Sequence, residues 1–470
     1  PIMFLPSLDM MIAAGSWKWC MKHSYDWIMV GGGFRSLIAA YAKAKQGYRV
    51  AVIERSKVTG GILMPIQVAG RMVDRGPQFF ENFEEQDVAL MHEMLGPDLL
   101  ESIGFQYRSF LNGIATDGFA IPDWRSLGSE TALAAFQNLL TQAISNQSQQ
   151  QPSSWDNAST LEELAKADGG EILADYMIDL CTKFTKYDPA LLSPKTYLQV
   201  AIFGRKLLLD QDTSMDLKHS PMLDKLIAAA KPQVQEDRYN LYPKGKNIGF
   251  VREALEKAVL DVGAEIYFEH EITDCDAKSK TLTTNKRLFG YEKIFWGCQI
   301  AETETTLFGT HSIKDDTHAL PEIFHFFEVP VDAVHPAHYA MNYDTKHLST
   351  RTTNFCNYID CIDDQGNGII CVEQPITKDC KQWEQPEIDQ EQIFEETQIF
   401  GNVTCEKAIS SQSLKVLVTY QIPKLGFENS VNTILEKLNE RYGDDFIIPD
   451  PFTLTRKDAL DDLRAMEMIT

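Results

Sequence analysis

Apolar positions are most clearly patterned between Tyr25 and Arg55. A short apolar run, Trp27 to Val30, leads into three consecutive glycines, and a second apolar run, Val50 to Ile53, follows Gly47. Between the two runs, apolar residues recur at helical rather than alternating spacing, at Leu37, Ile38, Ala40, Tyr41 and Ala44. The pattern predicts a strand, a glycine turn, a helix and a second strand, the unit from which parallel nucleotide-binding sheets are built.

The rest of the chain alternates between helical and strand-like patterns. Helices are predicted within 81–104 with an interruption at Gly96 and Pro97, over 131–144, from Thr160 onward with Glu163 completing a capping box, from about Ile248 to Val262, and from Lys457 to Met466. Strands are predicted in a hairpin over 105–124, in a strand closing on Glu271 and Ile272, in a second hairpin ending with Lys293 to Trp296, and throughout 321–375. The polar stretch 145–159 is predicted to be a surface loop.

The glycine turn matches most of a dinucleotide-binding fingerprint. Gly31, Gly33 and Ser36 occupy the places of G-x-G-x-x-G, where the first glycine permits the turn and the second lets a pyrophosphate approach. Glu54 follows Gly31 by 23 positions, near the spacing at which an acid meets a ribose hydroxyl, and its charge favours FAD or NAD over NADP. The alternative is a glycine-rich turn of another α/β protein. The candidate nucleotide-binding residues are Gly31, Gly33, Phe34, Arg35, Ser36, Glu54 and Arg55.

Composition excludes several classes of partner. The 470 residues favour two or three domains, and the net charge of −23 argues against nucleic acid and anionic membranes. Nine cysteines without a C-x-x-C pair are typical of reduced thiols in a cytoplasmic protein, so no metal site is predicted. No apolar run is long enough for a membrane span. Residues 1–24 are interpreted as an N-terminal extension, with a poor signal peptide as the alternative.

The stretch beyond Glu54, ERSKVTGGILMPIQVAGRMVDRGPQFF, resembles the FAD-dependent amine oxidase, protoporphyrinogen oxidase and UDP-galactopyranose mutase group. The resemblance implies that Gly60 and Gly61 pass close to the flavin. It also implies that the strand carrying Asp74, Gly76 and Pro77 lies against the isoalloxazine ring. This chain departs from the group at Ile62, where arginine or asparagine is common, and at Gln78, where histidine is common; both are counted with the candidate FAD contacts.

A second match, LYPKGKNIGFVREALEKAVLDVGAEIYFEHEIT, includes Tyr242, Pro243 and Gly245. It implies that the chain returns here to the cofactor domain, with the backbone of Ile272 at the adenine. The implied fold is α/β, a Rossmann-like FAD-binding domain of the glutathione-reductase type with an inserted α+β substrate domain. The implied divisions are 1–24 extension, 25–105 and 241–310 FAD-binding domain, 106–240 helical insertion, 311–425 β-rich substrate domain and 426–470 C-terminal helices.

Five residues are candidates for contact with a small-molecule substrate. LCTKFTKYDPALLSPKTY resembles a family segment and nominates Lys183 and Tyr187, with a solvated helix end as the alternative. The run from Tyr339 to Glu373 resembles strands that cover the flavin in the mutase and protoporphyrinogen-oxidase members. It nominates Arg351, Asn354 and Tyr358. Arg351 either meets an anionic substrate group or pairs with a local acid such as Asp344.

Chemistry is expected to come from the cofactor, because the sequence contains no motif for a nucleophile or a metal. The leading hypothesis is an FAD-dependent oxidoreductase that takes a hydride from a small organic substrate onto flavin N5. One alternative is an isomerase similar to UDP-galactopyranose mutase, acting on a sugar nucleotide with reduced flavin. Another is a non-catalytic flavin-binding homologue, suggested by the departures above and by Pro449 to Arg456, which hold no glycine where the family has a glycine turn. No catalytic residue is nominated.

Overall fold

The computed structural model describes residues 23–148, 157–229, 238–453 and 455–470. Most of the predicted polar loop and nearly all of the predicted N-terminal extension lie outside the described residues. Within them, strands and helices form two large sheets with helices packed on both.

The strands are β1 (Ser24–Val30), β2 (Val50–Ile53), β3 (Ile66–Val68), β4 (Arg71–Val73), β5 (Phe80–Phe83), β6 (Leu100–Ser102), β7 (Tyr107–Leu111), β8 (Ile114–Asp117), β9 (Tyr239–Pro243), β10 (Glu265–Tyr267), β11 (Ile272–Asp276), β12 (Thr281–Thr284), β13 (Leu288–Trp296), β14 (Thr317–Pro330), β15 (Tyr339–Asn342), β16 (Arg351–Asn354), β17 (Asn367–Pro375), β18 (Ser410–Pro423) and β19 (Phe446–Ile447).

The α-helices are α1 (Phe34–Lys45), α2 (Glu85–Leu95), α3 (Ser129–Ser148), α4 (Leu161–Thr185), α5 (Gln211–Leu217), α6 (Pro221–Asp224), α7 (Gly249–Asp261), α8 (Ile300–Phe308), α9 (Ser312–Asp315), α10 (Lys381–Glu384), α11 (Gln390–Ile399), α12 (Phe427–Tyr442) and α13 (Arg456–Ala465). None of those in the described part of the chain combines the length and apolar character that crossing a bilayer requires.

The first sheet confirms the predicted Rossmann-like unit. Its strands run in the order β10, β2, β1, β13, β12, β11, with β19 also beside β13, and β1 pairs in parallel with both β2 and β13. The side chains of successive residues of β1 point to opposite faces of the sheet. Met29 packs into a core with α1, α2, α7 and α13, whereas Ile28 packs into a core with α8 and α12. A central strand covered on both faces is apolar throughout, which is why Trp27 to Val30 reads as a continuous apolar run.

The second sheet runs in the order β18, β14, β17, β16, β15, β7, β8 and joins segments distant in sequence. The predicted hairpin is β7 and β8, and β7 pairs in parallel with β15. Phe324 and Phe326 of β14 face the residues around Phe79, while Phe327 packs on the opposite face against α11. The sheet thus turns one aromatic face toward the segment that follows Gly76.

Two predicted elements differ from the structure. The helix predicted within 81–104 ends at Gly96, and Leu100–Ser102 form strand β6 instead, because they pair with β9. The strand predicted to close on Ile272 is divided: β10 ends at Tyr267, Glu269 adopts a positive φ of 58°, and Ile272 begins β11. The N-cap at Thr160 is confirmed, and α7 and α13 match the predicted helices within one residue at each end.

Candidate cofactor and substrate site

The glycine turn after β1 leaves the amino end of α1 accessible. Gly31 has a φ of +85°, and its N–H donates to the carbonyl of Ile53 over 2.9 Å. Gly33 is the N-cap of α1, and no side chain caps the helix. A Cβ built on Gly33 meets no atom within 4 Å. The first N–H groups of α1 therefore border open space, the arrangement with which helix amino ends bind phosphate.

Ser36, the departure from the third glycine, is accommodated by a glycine on the next strand. Its side chain is buried in α1, and its Oγ donates to the carbonyl of Val30 over 3.4 Å. Gly297 follows β13 directly, and a Cβ built there lies only 2.0 Å from Ser36 Oγ. Helix α1 and the sheet therefore pack closely because Gly297, which has no side chain, leaves room for the Ser36 hydroxyl.

Glu54 directly follows β2 and lies beside the turn, as its spacing predicted. Its Oε2 accepts from the N–H of Gly32 and its Oε1 accepts from the N–H of Ser56, each over 2.7 Å. The carboxylate is therefore fixed next to the turn while remaining partly exposed. Arg55 points away and forms an exposed ion pair with Glu302.

The Gly-Gly pair joins the same turn. Gly60 donates from its N–H to the carbonyl of Gly32 over 2.7 Å, and a Cβ on Gly60 would lie 2.5 Å from Cγ of Arg252. Gly61 borders open space and Ile62 is 65% exposed. The pair thus brings a second backbone segment to the amino end of α1, with the side chain of Arg252 packed against Gly60 and the apolar Ile62 exposed after the pair.

Phe34 and Arg35 anchor α1 to other parts of the fold. Phe34 is buried and packs on Phe80, so it contributes its backbone rather than its ring to the open side of the turn. Arg35 donates to the carbonyls of Asp450 and Thr453 over 3.4 and 3.2 Å. The C-terminal segment is therefore held beside the turn by a side chain of the fingerprint itself.

Asp74 has a structural role at the start of α7. It is fully buried and accepts from the hydroxyl of Tyr242 and from the N–H of Ile248, the latter over 2.9 Å. Burial raises the pKa of Asp74 to about 6. The carboxylate ties the Gly-Pro segment to the segment carrying Tyr242, which the sequence separates by more than 150 positions.

Gln78 is held in place by Arg456 at the start of α13. The guanidinium donates to Gln78 Oε1 over 2.5 Å and to the carbonyl of Phe79 over 2.7 Å, and it stacks over the Phe80 ring. Gln78 Nε2 donates to the carbonyl of Arg75. Glutamine at this position is thus matched to an arginine that follows the glycine-free C-terminal segment.

Gly76 lies directly against the second sheet. It has a φ of +71°, and a Cβ there would lie 2.8 Å from Glu373 Oε1 and 3.4 Å from a terminal nitrogen of Arg351. Arg351 on β16 faces Glu373 on β17 and donates through two N–H groups, over 3.0 and 2.8 Å. Of the two alternatives for Arg351, the structure shows a pair with an acid, and the acid is Glu373 rather than Asp344.

Aromatic side chains surround this contact. Phe79 packs between Tyr242 and Tyr358, and its ring is stacked with that of Tyr339. Tyr358 is buried and its hydroxyl has no hydrogen-bond partner among the described residues. The segment that follows Gly76 therefore meets the predicted Tyr358 at the aromatic face of the second sheet.

The structure places the other predicted substrate residues within the protein framework. Lys183 is buried at the end of α4 and donates to the carbonyls of Asn342 and Asp344 over 2.9 and 2.6 Å, and burial lowers its pKa to about 7. Asn354 exchanges two hydrogen bonds with Asn402. The ring of Tyr187 packs on His318. These interactions supply each residue with protein partners.

Ile272 begins β11 close to the chain segment that follows Glu54. It pairs with Thr284, and the N–H of neighbouring His270 donates to the carbonyl of Glu54 over 2.9 Å. The predicted adenine contact is therefore adjacent to the predicted ribose contact.

Sequence reasoning missed three residues at the site. Glu373 and Glu322 each stand within mostly apolar strand sequences, GIICVEQ and LPEIFHFFEV, and a charge in a buried strand is the signal that identifies them. Gly297 follows a strand that was predicted to join the sheet. Its position was foreseeable because parallel strands end at the same sheet edge.

Comparisons with known proteins agree with this architecture. A sequence model described as an NAD(P)-binding Rossmann-like domain matches residues 29–94. None of the curated protein sequences matches the chain.

Among solved structures, reduced UDP-galactopyranose mutase is similar with a TM-score of 0.67 at 14% identity, covering 94% of both chains. A protein of Exiguobacterium sp. 255-15, assigned as a protoporphyrinogen oxidase, has a TM-score of 0.62 at 14% identity, covering 94% of this chain and 97% of that one. An engineered cofactor-binding mutant of putrescine oxidase has a TM-score of 0.59 at 12% identity, covering 95% and 98%. The chain therefore contains a Rossmann-like domain, and it shares its overall fold with UDP-galactopyranose mutase, the Exiguobacterium protein and putrescine oxidase.

Proposed function

We propose that the chain is an FAD-dependent oxidoreductase that takes a hydride from a small organic substrate. The observation that carries the proposal is the uncapped amino end of α1, bordered by Gly33, Gly61 and Glu54, which together offer backbone donors for a pyrophosphate and a carboxylate for a ribose. Ile272 would hold the adenine.

The described residues fit FAD at both ends of this interface. At the nucleotide end, no protein atom approaches the Cβ positions of Gly33 and Gly61. At the other end, Phe79, which follows Gly76, Pro77 and Gln78, packs on Tyr358, whose buried hydroxyl has no hydrogen-bond partner among the described residues. Bound FAD supplies the hydride acceptor, which the side chains of this chain do not offer. The protein residues orient the cofactor and exclude water with the surrounding aromatic rings.

The charge distribution favours an oxidoreductase over a sugar-nucleotide isomerase. The isomerase hypothesis requires Arg351 and Lys183 to hold the diphosphate of a sugar nucleotide. Arg351 is already paired with Glu373, and Lys183 is already bound by two backbone carbonyls. Neither predicted cation is thus available for an anionic substrate, so we expect a neutral or cationic one.

The test uses Gly33→Ser. Serine is a favourable N-cap, so the apoprotein should keep its stability or gain a few tenths of a kcal/mol. The same hydroxyl would occupy the phosphate position and cap its donors, so FAD affinity measured by calorimetry should fall at least tenfold, about 1.4 kcal/mol. Gly104→Ser, at another glycine without neighbours and without positive φ, is the matched control. Equal FAD affinity of the Gly33→Ser variant and the wild type would refute the proposed site.

A second measurement separates oxidoreductase from isomerase. UDP-sugars are added to the dithionite-reduced, FAD-loaded protein and the flavin spectrum is recorded. An oxidoreductase without a diphosphate site should show no change, whereas a saturable change would favour the isomerase.

A further inference from the structure

Two carboxylates and one guanidinium share the face of the second sheet that meets Gly76. Glu373 lies opposite Arg351 on one side and opposite Phe324 of β14 on the other. Glu322 precedes Phe324 by two positions, so it lies on the same face, diagonally next to Glu373. The cluster contains more acid than base.

Arg351 forms an ion pair with only one of the two carboxylates, that of Glu373. The two N–H groups of Arg351 that form the ion pair are directed at Glu373, whereas Glu322 is 3% exposed and its Oε2 has no hydrogen-bond partner among the described residues. Besides Glu373 and Arg351, the groups that face Glu322 are Thr419 and Tyr420 of β18, and Cys371 of β17. None of these adds a positive charge.

A buried carboxylate next to another carboxylate is costly to ionise. Burial first, and the charge of Glu373 second, raise the pKa of Glu322. Because the two acids are diagonal neighbours, ionisation of one opposes ionisation of the other. Arg351 stabilises the charged form of Glu373, so protonation is favoured at Glu322 rather than at Glu373.

We propose that Glu322 stores one proton at neutral pH and that the pair of Glu322 and Glu373 exchanges protons with the substrate or flavin held against Gly76. The exchange rests on the proposed function; the stored proton does not. Oxidation of a substrate that loses a hydride and a proton transfers the electron pair with the hydride to FAD. The proton passes to the ionised carboxylate of the pair, which later releases it to water.

The stored proton is tested by infrared spectroscopy of the apoprotein at pH 7. Wild type should show the carbonyl band of a protonated carboxylic acid, and Glu322→Gln should lack it. Glu373→Gln should lack it too, because Arg351 is then free to pair with Glu322 and ionise it. Glu328→Gln is the matched control, since Glu328 shares the strand face but is already paired with Arg71. A wild type without the band, or a band that survives in Glu322→Gln, would overturn the stored proton.

The exchange is tested on the FAD-loaded protein by titrating the flavin absorption spectrum with pH. Wild type should show a transition on the alkaline side of neutrality that Glu322→Gln removes and Glu328→Gln retains. Identical titrations of wild type and Glu322→Gln would overturn the exchange and leave Glu322 a structural residue. Failure to bind FAD would overturn the proposed function and the exchange, whereas the infrared result would stand by itself.

Discussion

The pairing of Ser36 with Gly297 predicts a specific double-mutant result. Gly297→Ala places a Cβ 2.0 Å from Ser36 Oγ and 3.1 Å from the carbonyl of Val30, so the helix and the sheet must separate. Overpacking of this kind costs about 1–3 kcal/mol of unfolding free energy. Ser36→Gly alone should cost about 1 kcal/mol, because it introduces glycine into a helix and removes the bond to Val30.

In the double variant the closest contact is absent, so the two costs should not add. We expect a favourable coupling of about 1–2 kcal/mol, the range typical of side chains in direct contact. The assay is urea unfolding of the four apoproteins, with Gly290→Ala as a control at a glycine of the same strand that meets only Ser24, at 3.3 Å. Additive costs within about 0.4 kcal/mol would refute the account of how this chain tolerates Ser36.

Three further predictions concern single residues. Glu54→Gln keeps one of two acceptors, so FAD affinity by calorimetry should fall about tenfold; an unchanged affinity would contradict the ribose role. Lys183 has a native pKa lowered from 10.5 to about 7, so its contribution to stability is fully present above pH 10.5 and is lost as the pH falls through 7. The unfolding free energy of wild type relative to Lys183→Met should therefore rise by up to about 4 kcal/mol between pH 7 and 10. If this difference in unfolding free energy did not change with pH, the result would argue against burial of the charge. Asp74→Asn leaves one of two donors, the Tyr242 hydroxyl or the Ile248 N–H, without an acceptor. The substitution should lower the midpoint of urea unfolding by the equivalent of about 1–3 kcal/mol. An unchanged midpoint would show that these hydrogen bonds do not stabilise the fold.

Local sequence patterns predicted a strand or helix correctly where the burial of its faces determines which of its positions are apolar. The run from Trp27 to Val30 is apolar because both faces of β1 are covered, and α7 and α13 have apolar positions at helical spacing. The pattern was misleading at Leu100–Ser102, because their partner β9 lies about 140 positions away and pairing with it overrides the local helical preference.

The nucleotide end of the site was predictable because its chemistry depends on one short segment. The roles proposed for Gly31, Gly33 and Glu54 depend on backbone geometry and on a fixed spacing along the chain. The reactive end was less predictable because its contacts join distant strands. The partner of Arg351 is Glu373 rather than Asp344, and that choice depends on the register of β16 against β17, which no local pattern encodes.

Reconstitution with cofactor tests the central claim most directly. Purified protein is incubated separately with FAD, FMN and NAD, passed through gel filtration, and scanned for absorption. The structure predicts that FAD is retained at one molecule per chain with a perturbed flavin spectrum. FMN should be lost because it lacks the adenosine that we propose Glu54 and Ile272 to hold. A protein that elutes without any flavin after incubation with FAD would contradict the account.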